Sequence, residues 1–193
     1  MHSVAENVAE ALSSTRAPQG IVAVCDIPRH TLDEAVVVGA RLVSVLADVA
    51  DPGNAGTAIR TADAAGADSV VLTGSAVDAY NGKCVRASAG SLFHLPVVTG
   101  VDSVETLNAL RRAGLTIRAA DARGNVDLDD LIADGRLAAP TAWVFGNEAR
   151  GLGEASSELA DETVRIPLRG RAESLNLAAA VAVCLFATAR AQR

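Results

Sequence analysis

Aromatic residues and lysine are scarce in this sequence. Aromatic side chains make up 3% of the chain, although half of the residues are hydrophobic. A core built from Ala, Val, Leu and Ile is therefore expected, packed tightly because these side chains are small. Lys83 is the single lysine, and the other basic residues are arginines, whose planar group can bind two phosphate oxygens at once. Compositional bias is the better explanation for most of these arginines.

The few cysteines and histidines are too scattered to indicate a disulfide framework or a metal site. No two cysteines form a CxxC pair, and the residues concerned lie far apart in the chain: Cys25, Cys84, Cys184, His2, His30 and His94. This pattern favours a reducing cytoplasm, and no bound metal is predicted.

A secretory signal, a membrane span and a strongly basic charge are also lacking. Residues 1–20 contain acidic and polar groups with no apolar core segment. The most apolar stretch, residues 175–189, is shorter than the ~20 residues that span a bilayer, and a buried C-terminal helix explains it better. The formal net charge of −6 argues against a protein that coats nucleic acid, but it allows a local basic surface.

Short apolar runs alternate with helical patterns through most of the chain. Seven runs rich in Val, Leu and Ile have the length of strands that are covered on both faces: 21–26, 41–49, 69–74, 94–98, 115–121, 141–146 and 162–168. Helices are predicted between or after them, at 55–66, 102–113, 154–160 and 174–190. This alternation predicts an α/β fold with a mostly parallel sheet flanked by helices.

The first 40 residues break the alternation. A helix is predicted from residue 4 until Pro18 and Gly20 end it, and one strand-like run and an irregular segment follow. We therefore expect an N-terminal appendage or the tail of another domain in residues 1–40, and a main domain in residues 41–193.

The first candidate loop, "DPGNAGTAIR", follows the strand at 41–49. Ligands of open α/β sheets bind at the carboxyl ends of strands. Asn54 is predicted to cap the next helix, and Gly56 permits close backbone approach. Arg60 lies six residues after Asn54 and is therefore predicted to point back toward this loop. A cation does not stabilise a helix N-terminus, so Arg60 should serve another purpose. The alternative is a surface arginine paired with Asp51 or Asp63.

The second candidate loop, "FGNEARGLG", follows the strand at 141–146. Glu148 lies among glycines there, where its carboxylate could contact a substrate or Arg60. The loop is not a P-loop, because no Lys and Ser/Thr follow its second glycine, and no nucleophile elbow is present. "GLGEAS" nearly matches a dinucleotide fingerprint, so an NAD- or nucleotide-binding oxidoreductase remains an alternative.

The third candidate loop, "IPLRGRAESLNLAAA", precedes the long apolar helix. Glu173, Ser174 and Asn176 are grouped at its start, and Glu173 or Ser174 is predicted to cap the helix. Three polar residues exceed what one cap requires. The backbone of residues 166–175 could also surround an apolar ring and satisfy its polar edge.

In order, the three loops resemble the SpoU (TrmH-like) branch of the SPOUT superfamily, which are RNA ribose 2′-O-methyltransferases that use S-adenosylmethionine. The shared pattern is Asn-x-Gly-x-x-x-Arg, then Phe-Gly-x-Glu with a later Gly-Leu, then Ile-Pro followed by Glu-Ser-Leu-Asn, over about residues 41–190. The resemblance implies a C-terminal deep trefoil knot and a homodimer whose active site is completed across the interface. Neither periodicity nor composition indicates a knot.

The resemblance also implies roles for individual residues. Five side chains match the catalytic motifs: Asn54, Arg60, Glu148, Ser174 and Asn176. Three positions match backbone contacts to the adenosine of the cofactor, namely Gly146, Ile166 and Leu175, and Asn176 is also expected to bind the cofactor. The sequence of residues 168–172 differs from the one that is most common in the family.

Arg60 is expected to act electrostatically during methyl transfer. The reaction is an in-line displacement by a ribose 2′-oxygen, which must lose its proton. A guanidinium does not act as a base in proteins. We therefore expect Arg60 to stabilise the developing alkoxide, with a neighbouring phosphate taking the proton.

The N-terminal stretch bears on the RNA substrate. "LSSTRAPQGIVAV" resembles the junction after an L30e-like RNA-binding domain in members that act on ribosomal RNA. We therefore expect the catalytic portion of a longer enzyme, with 23S ribosomal RNA as the favoured substrate. The alternatives are a transfer-RNA 2′-O-methyltransferase and a non-catalytic RNA-binding or assembly module.

Overall fold

Seven parallel strands form one sheet in the computed structural model, which describes residues 2–13 and 20–193. The strands are β1 Leu42–Ala47, β2 Ser69–Thr73, β3 Val97–Val101, β4 Thr116–Ala120, β5 Val126–Asp127, β6 Thr141–Phe145 and β7 Glu162–Arg165. Their order across the sheet is β3-β2-β1-β6-β4-β7-β5, and each pair of neighbours is parallel. The carboxyl ends of all strands therefore lie at one edge.

Helices connect the strands and cover the sheet. They are α1 Glu6–Leu12, α2 Leu32–Ala35, α3 Pro52–Ala65, α4 Gly82–Ser88, α5 Ser103–Arg112, α6 Leu128–Ala133, α7 Glu154–Glu158 and α8 Leu177–Ala191. Short 3₁₀ turns lie at Ser91–Phe93 and Arg136–Ala138. In the described part of the chain, no helix has the length and apolar character needed to cross a membrane.

The predicted α/β fold with a parallel sheet is confirmed, with corrections to single elements. Helices α4 and α6 were not predicted, and β3 begins at Val97, later than predicted. The predicted strand at 21–26 is wrong, because this segment has no strand partner and Val24 is fully exposed. The seventh strand is instead β5, which is too short to recognise by its apolar pattern. Helix α1 ends at Leu12, and its predicted end at Pro18 lies outside the described residues.

The core is divided between the two faces of the sheet. Successive side chains of β1 alternate, so that Leu42 and Leu46 contact one cluster and Val43 and Val45 the other. The first cluster includes small side chains of α3 and the apolar side of α8. Gly56 of α3 lies against α4, where an added Cβ would be 2.4 Å from the Cys84 carbonyl oxygen. Small residues thus allow the helices to pack closely.

Two predicted helix caps are wrong, and the observed cap of α3 leaves the Asn54 side chain available to the site. Asp51 caps α3, accepting a hydrogen bond from the Asn54 N–H at 2.8 Å. The helix begins earlier than predicted because Pro52 occupies its first position, where no N–H is needed. Asn176, and neither Glu173 nor Ser174, caps α8 by accepting from the Ala178 N–H at 2.9 Å.

A buried hydrogen bond joins α8 to the centre of the sheet. The indole N–H of Trp143 donates to the Thr188 hydroxyl oxygen at 2.8 Å, and both residues are fully buried. Replacing Thr188 with valine keeps the side-chain shape but leaves the indole donor without an acceptor. We expect the free energy of unfolding to fall by about 1–3 kcal/mol in urea titrations. Thr61→Val removes a hydroxyl from a half-buried position of α3 and is the control; an equal loss in both would contradict this account.

Candidate functional site

The three predicted loops are joined by side-chain hydrogen bonds at the carboxyl edge of the sheet. Asn54 Nδ2 donates to Glu148 Oε1 at 3.0 Å, and Asn176 Nδ2 donates to Asn54 Oδ1 at 3.1 Å. Asn54 therefore uses both ends of its amide, which fixes the orientation of the side chain. The sheet order explains the proximity, because β1 and β6 are neighbours and α8 packs against α3.

Glu148 is an ionised group that is held by neutral donors. Its two oxygens accept the backbone N–H groups of Ala50 at 3.2 Å and Asp51 at 3.3 Å, besides the Asn54 amide. Burial raises the pKa of Glu148, but the hydrogen bonds from Asn54 and the backbone outweigh it and hold the pKa below its usual value. Among the described residues no cation is paired with this carboxylate, so its negative charge is available to a ligand.

A cavity of about 530 Å³ lies beside this network, within the size range of small-molecule sites. Among the predicted site residues, all except Arg60 line it: Asn54, Gly146, Glu148, Ile166, Ser174, Leu175 and Asn176. The structure thus brings residues from all three loops to one cavity.

The walls of the cavity combine apolar side chains with backbone. Phe145, Val164, Ile166 and Leu168 contribute apolar surface. The loop after β6 folds back on itself, so a Cβ on Gly146 would lie 2.3 Å from the Gly151 carbonyl carbon. Apolar walls beside backbone polar groups suit a flat ring with a polar edge, as in the adenine of S-adenosylmethionine.

A second, open cleft adjoins the cavity. Its lining is Ala50, Asp51, Asn54, Asn147, Glu148, Ala149 and Asn176. The hydrogen-bonded residues Asn54, Glu148 and Asn176 line both spaces. These three side chains therefore stand between a cavity of cofactor size and an entrance open to a larger molecule.

Arg60 is the predicted site residue that the structure does not bring to the cavity. It lies in the third turn of α3, is exposed, and makes no hydrogen bond or ion pair with the described residues. The alternative of a paired surface arginine is wrong, because Asp51 pairs with Lys83 at 2.8 Å and Asp63 with His94 at 2.8 Å. The guanidinium of Arg60 is therefore exposed to solvent and has no partner among the described residues.

Asn147 and Asp121 are among the cavity residues that the sequence analysis did not single out. Asn147 follows Gly146 directly, and its only sequence signal is the preference of asparagine for turns. Asp121 lines the cavity after β4 and pairs with Arg123 at 3.3 Å. In the residues that the structure describes, no cluster of three or more His, Cys, Asp or Glu could hold a metal ion.

Comparison with known proteins identifies the family. The model of the SpoU rRNA Methylase family matches residues 41–186. The chain belongs to this family. The prediction of a SpoU member, made from three loops in order, is confirmed.

Two curated SpoU relatives are named for ribosomal RNA. The chain is 36% identical to 23S rRNA (guanosine(2553)-2′-O)-methyltransferase RlmP of Bacillus subtilis, over 96% of this chain and 71% of that protein. It is 39% identical to 23S rRNA (uridine(2479)-2′-O)-methyltransferase of Streptomyces viridochromogenes, over 90% of this chain and 61% of that protein. The chain therefore spans roughly two thirds of the length of these SpoU relatives.

A solved SpoU structure resembles the whole fold. The SpoU methyltransferase AviRb of Streptomyces viridochromogenes, crystallised in complex with the cofactor AdoMet, superposes with a TM-score of 0.85. The two chains are 35% identical, over 98% of this chain and 72% of that one.

The oxidoreductase alternative does not fit the SpoU fold seen here. A dinucleotide fingerprint places its glycines directly between a strand and the helix that follows. Gly151 instead closes a bridge to Asn147 after the end of β6, and the next helix, α7, has five residues.

Proposed function

We propose that this chain is an S-adenosylmethionine-dependent methyltransferase that methylates the 2′-oxygen of a ribose in 23S ribosomal RNA. The family assignment and the two relatives named for 23S rRNA support this activity. The observation that carries it is the Asn54–Glu148–Asn176 network on the wall shared by the cavity and the more open cleft. This arrangement suits transfer from a bound cofactor to an incoming RNA.

The cavity is the proposed cofactor site. Gly146, Ile166 and Leu175 would contact the adenosine, and Asn176 would complete that wall. The cofactor, when bound, supplies a methyl group on a positively charged sulfonium. The uncompensated negative charge of Glu148 favours a cation in this cavity.

The open cleft is the proposed ribose site. The amides of Asn54 and Asn176 and the hydroxyl of Ser174 would orient the 2′-hydroxyl toward the cavity. The oxygen lone pair forms the new bond to the methyl carbon as the carbon–sulfur bond breaks, and the hydroxyl proton leaves to a neighbouring RNA phosphate. Positioning of the two reactants supplies much of the acceleration.

We propose that a second copy of the chain supplies Arg60. Its guanidinium is exposed and remains outside the cavity of its own chain, so a homodimer would let it stabilise the developing alkoxide of the partner site. Val183 and Phe186, one helical turn apart on α8, expose 41% and 44% of their surface. They offer an apolar surface for such an interface.

The path of the chain near the cavity supports the proposed deep trefoil knot. β7 lies between β4 and β5, although it comes after both in sequence. The segment joining β4 to β5 crosses β7 so closely that a Cβ on Gly124 would be 2.6 Å from the Val164 carbonyl carbon. In the proposed knot, the chain that leaves β7 passes through the loop that contains this segment before it reaches α8.

Residues 41–193 are the proposed methyltransferase domain, acting in the cytoplasm, and residues 1–40 the proposed N-terminal appendage, whose last part packs Ala35 and Ala40 into the core. The family match begins at residue 41. Residues 21–27 are exposed and form no strand of the sheet.

Calorimetry and RNA mapping test the proposed function. The purified chain is expected to bind S-adenosylmethionine and not NAD. Ribose methylation mapped across total RNA, from cells with and without the intact gene, is expected to differ at one position of 23S rRNA. Loss of a methyl group from transfer RNA would overturn the substrate class. Binding of cofactor without any change in RNA methylation would favour the non-catalytic module.

A further inference from the structure

Asn147 connects the loop after β6 to the end of β1. Its side-chain oxygen accepts the backbone N–H groups of Ala149 at 3.0 Å and Arg150 at 3.1 Å, while Nδ2 donates to the Asp48 carbonyl oxygen at 2.8 Å. Its backbone forms both hydrogen bonds of the bridge to Gly151, at 2.9 and 2.8 Å. The residue is 9% exposed, so these bonds are largely shielded from water.

Asp48, whose carbonyl oxygen accepts the hydrogen bond from Asn147, is itself held in place. Asp48 has a left-handed backbone with φ of 55°, an uncommon conformation for a residue with a side chain. Its carboxylate accepts from the Ser75 N–H at 2.7 Å and the Ser75 hydroxyl at 2.8 Å. These hydrogen bonds lower the pKa of Asp48, so the carboxylate remains ionised at neutral pH. The ends of β6, β1 and the loop after β2 are thereby joined in series.

The loop held by Asn147 is a wall of the cavity. Residues 146–151 line the cavity, and Asn147 itself also borders the open cleft. Glu148 has its own hydrogen bonds to the loop after β1, through the N–H groups of Ala50 and Asp51. Loss of the Asn147 side chain therefore leaves Glu148 and the backbone bridge to Gly151 in place, but removes the acceptor of the Ala149 and Arg150 N–H groups and the bond to the end of β1.

We propose that Asn147 is a positioning residue that holds this turn in the conformation that receives S-adenosylmethionine. The inference rests on the proposed function, because it names that cofactor as the occupant of the cavity. Among the described residues, the hydrogen bonds of Asn147 join it to the turn and to the end of β1. Its contribution is therefore to the shape of the cofactor wall.

Calorimetric titration with S-adenosylmethionine tests the proposal without any RNA. Asn147→Ala is expected to weaken cofactor binding by about 10-fold or more. The reason is that the turn loses its side-chain hydrogen bonds and must be reordered when the cofactor binds. Asn147→Asp keeps the acceptor for the turn but loses the donor to Asp48, so an intermediate affinity is expected. In methylation assays, Asn147→Ala should raise the KM for the cofactor more than it lowers kcat.

Thr188→Val is the matched control, since it removes a buried hydrogen bond in the core away from the cavity. It is expected to lower the melting temperature with an unchanged cofactor affinity. Equal affinities of wild type and both Asn147 variants, measured below their melting temperatures, would overturn the inference, as would an equal loss of affinity in Thr188→Val. Failure of the wild type itself to bind S-adenosylmethionine would instead refute the proposed function.

Discussion

Replacing Arg60 with alanine is expected to slow methyl transfer by about 10²- to 10³-fold, the usual cost of losing one group that stabilises a developing negative charge. The affinity for S-adenosylmethionine should stay unchanged, because Arg60 does not line the cavity of its own chain. Single-turnover methylation of the RNA target at saturating cofactor, with calorimetry on the same preparation, measures both quantities.

Two further variants separate charge from geometry at Arg60. Arg112→Ala removes an exposed arginine from the end of α5 and changes the net charge equally, so it should retain nearly full activity. Arg60→Lys keeps the charge but lacks the planar group. Near-full methylation by Arg60→Lys, with unchanged cofactor binding, would show that the guanidinium is dispensable.

Mixing two inactive variants tests the proposed exchange of Arg60 between copies. If each site takes Arg60 from the partner, Arg60→Ala combined with a cavity variant should recover activity in mixed dimers, because one of their two sites contains both intact parts. No recovery in dimers verified by mass would rule out the exchange.

Replacing Gly146 with alanine is expected to abolish most cofactor binding. The added Cβ would lie 2.3 Å from the carbonyl carbon of Gly151 and 2.5 Å from the Leu152 nitrogen, and both are backbone atoms that a rotamer change cannot move. The turn must open, at a cost of about 1–3 kcal/mol. We expect Gly146→Ala to weaken S-adenosylmethionine binding by about 10- to 100-fold in calorimetry.

Gly153→Ala is the control for Gly146→Ala within the same segment. No atom lies within 4 Å of the position its Cβ would take, and it does not line the cavity. It should bind the cofactor like the wild type. Equal binding by the Gly146 and Gly153 variants would mean that the cofactor lies elsewhere.

The sheet was predictable because its strands are continuous apolar runs, and the failures have local causes. β5 has only two residues and is a strand because β7 lies beside it, which no pattern in residues 126–127 shows. Residues 21–26 have the composition of a strand without a partner in the sheet. At the start of α3, Asp51 and Pro52 together form a stronger helix start than Asn54, and that signal was in the sequence.

The sequence was sufficient to predict which loops form the site, but not which side chains contact one another there. The order of the motifs placed Asn54, Glu148 and Asn176 at strand ends or a helix start. The hydrogen bond between Asn54 and Asn176 joins residues 122 positions apart, and depends on how α3 and α8 pack. The direction of Arg60 depends on the rotation of α3, because a helix that starts at Pro52 places Arg60 in the third turn.

The cavity takes much of its lining from a segment that follows six of the seven strands in sequence, from Val164 to Ala180. β7, which precedes most of this lining, adds to the sheet between two strands that are synthesised earlier. A ribosome would therefore have to synthesise the chain as far as Ala180 before the ligand site could exist. Cofactor cannot assist the early stages of folding, and a nascent chain stalled before β7 would have neither catalytic capacity nor ligand to stabilise it.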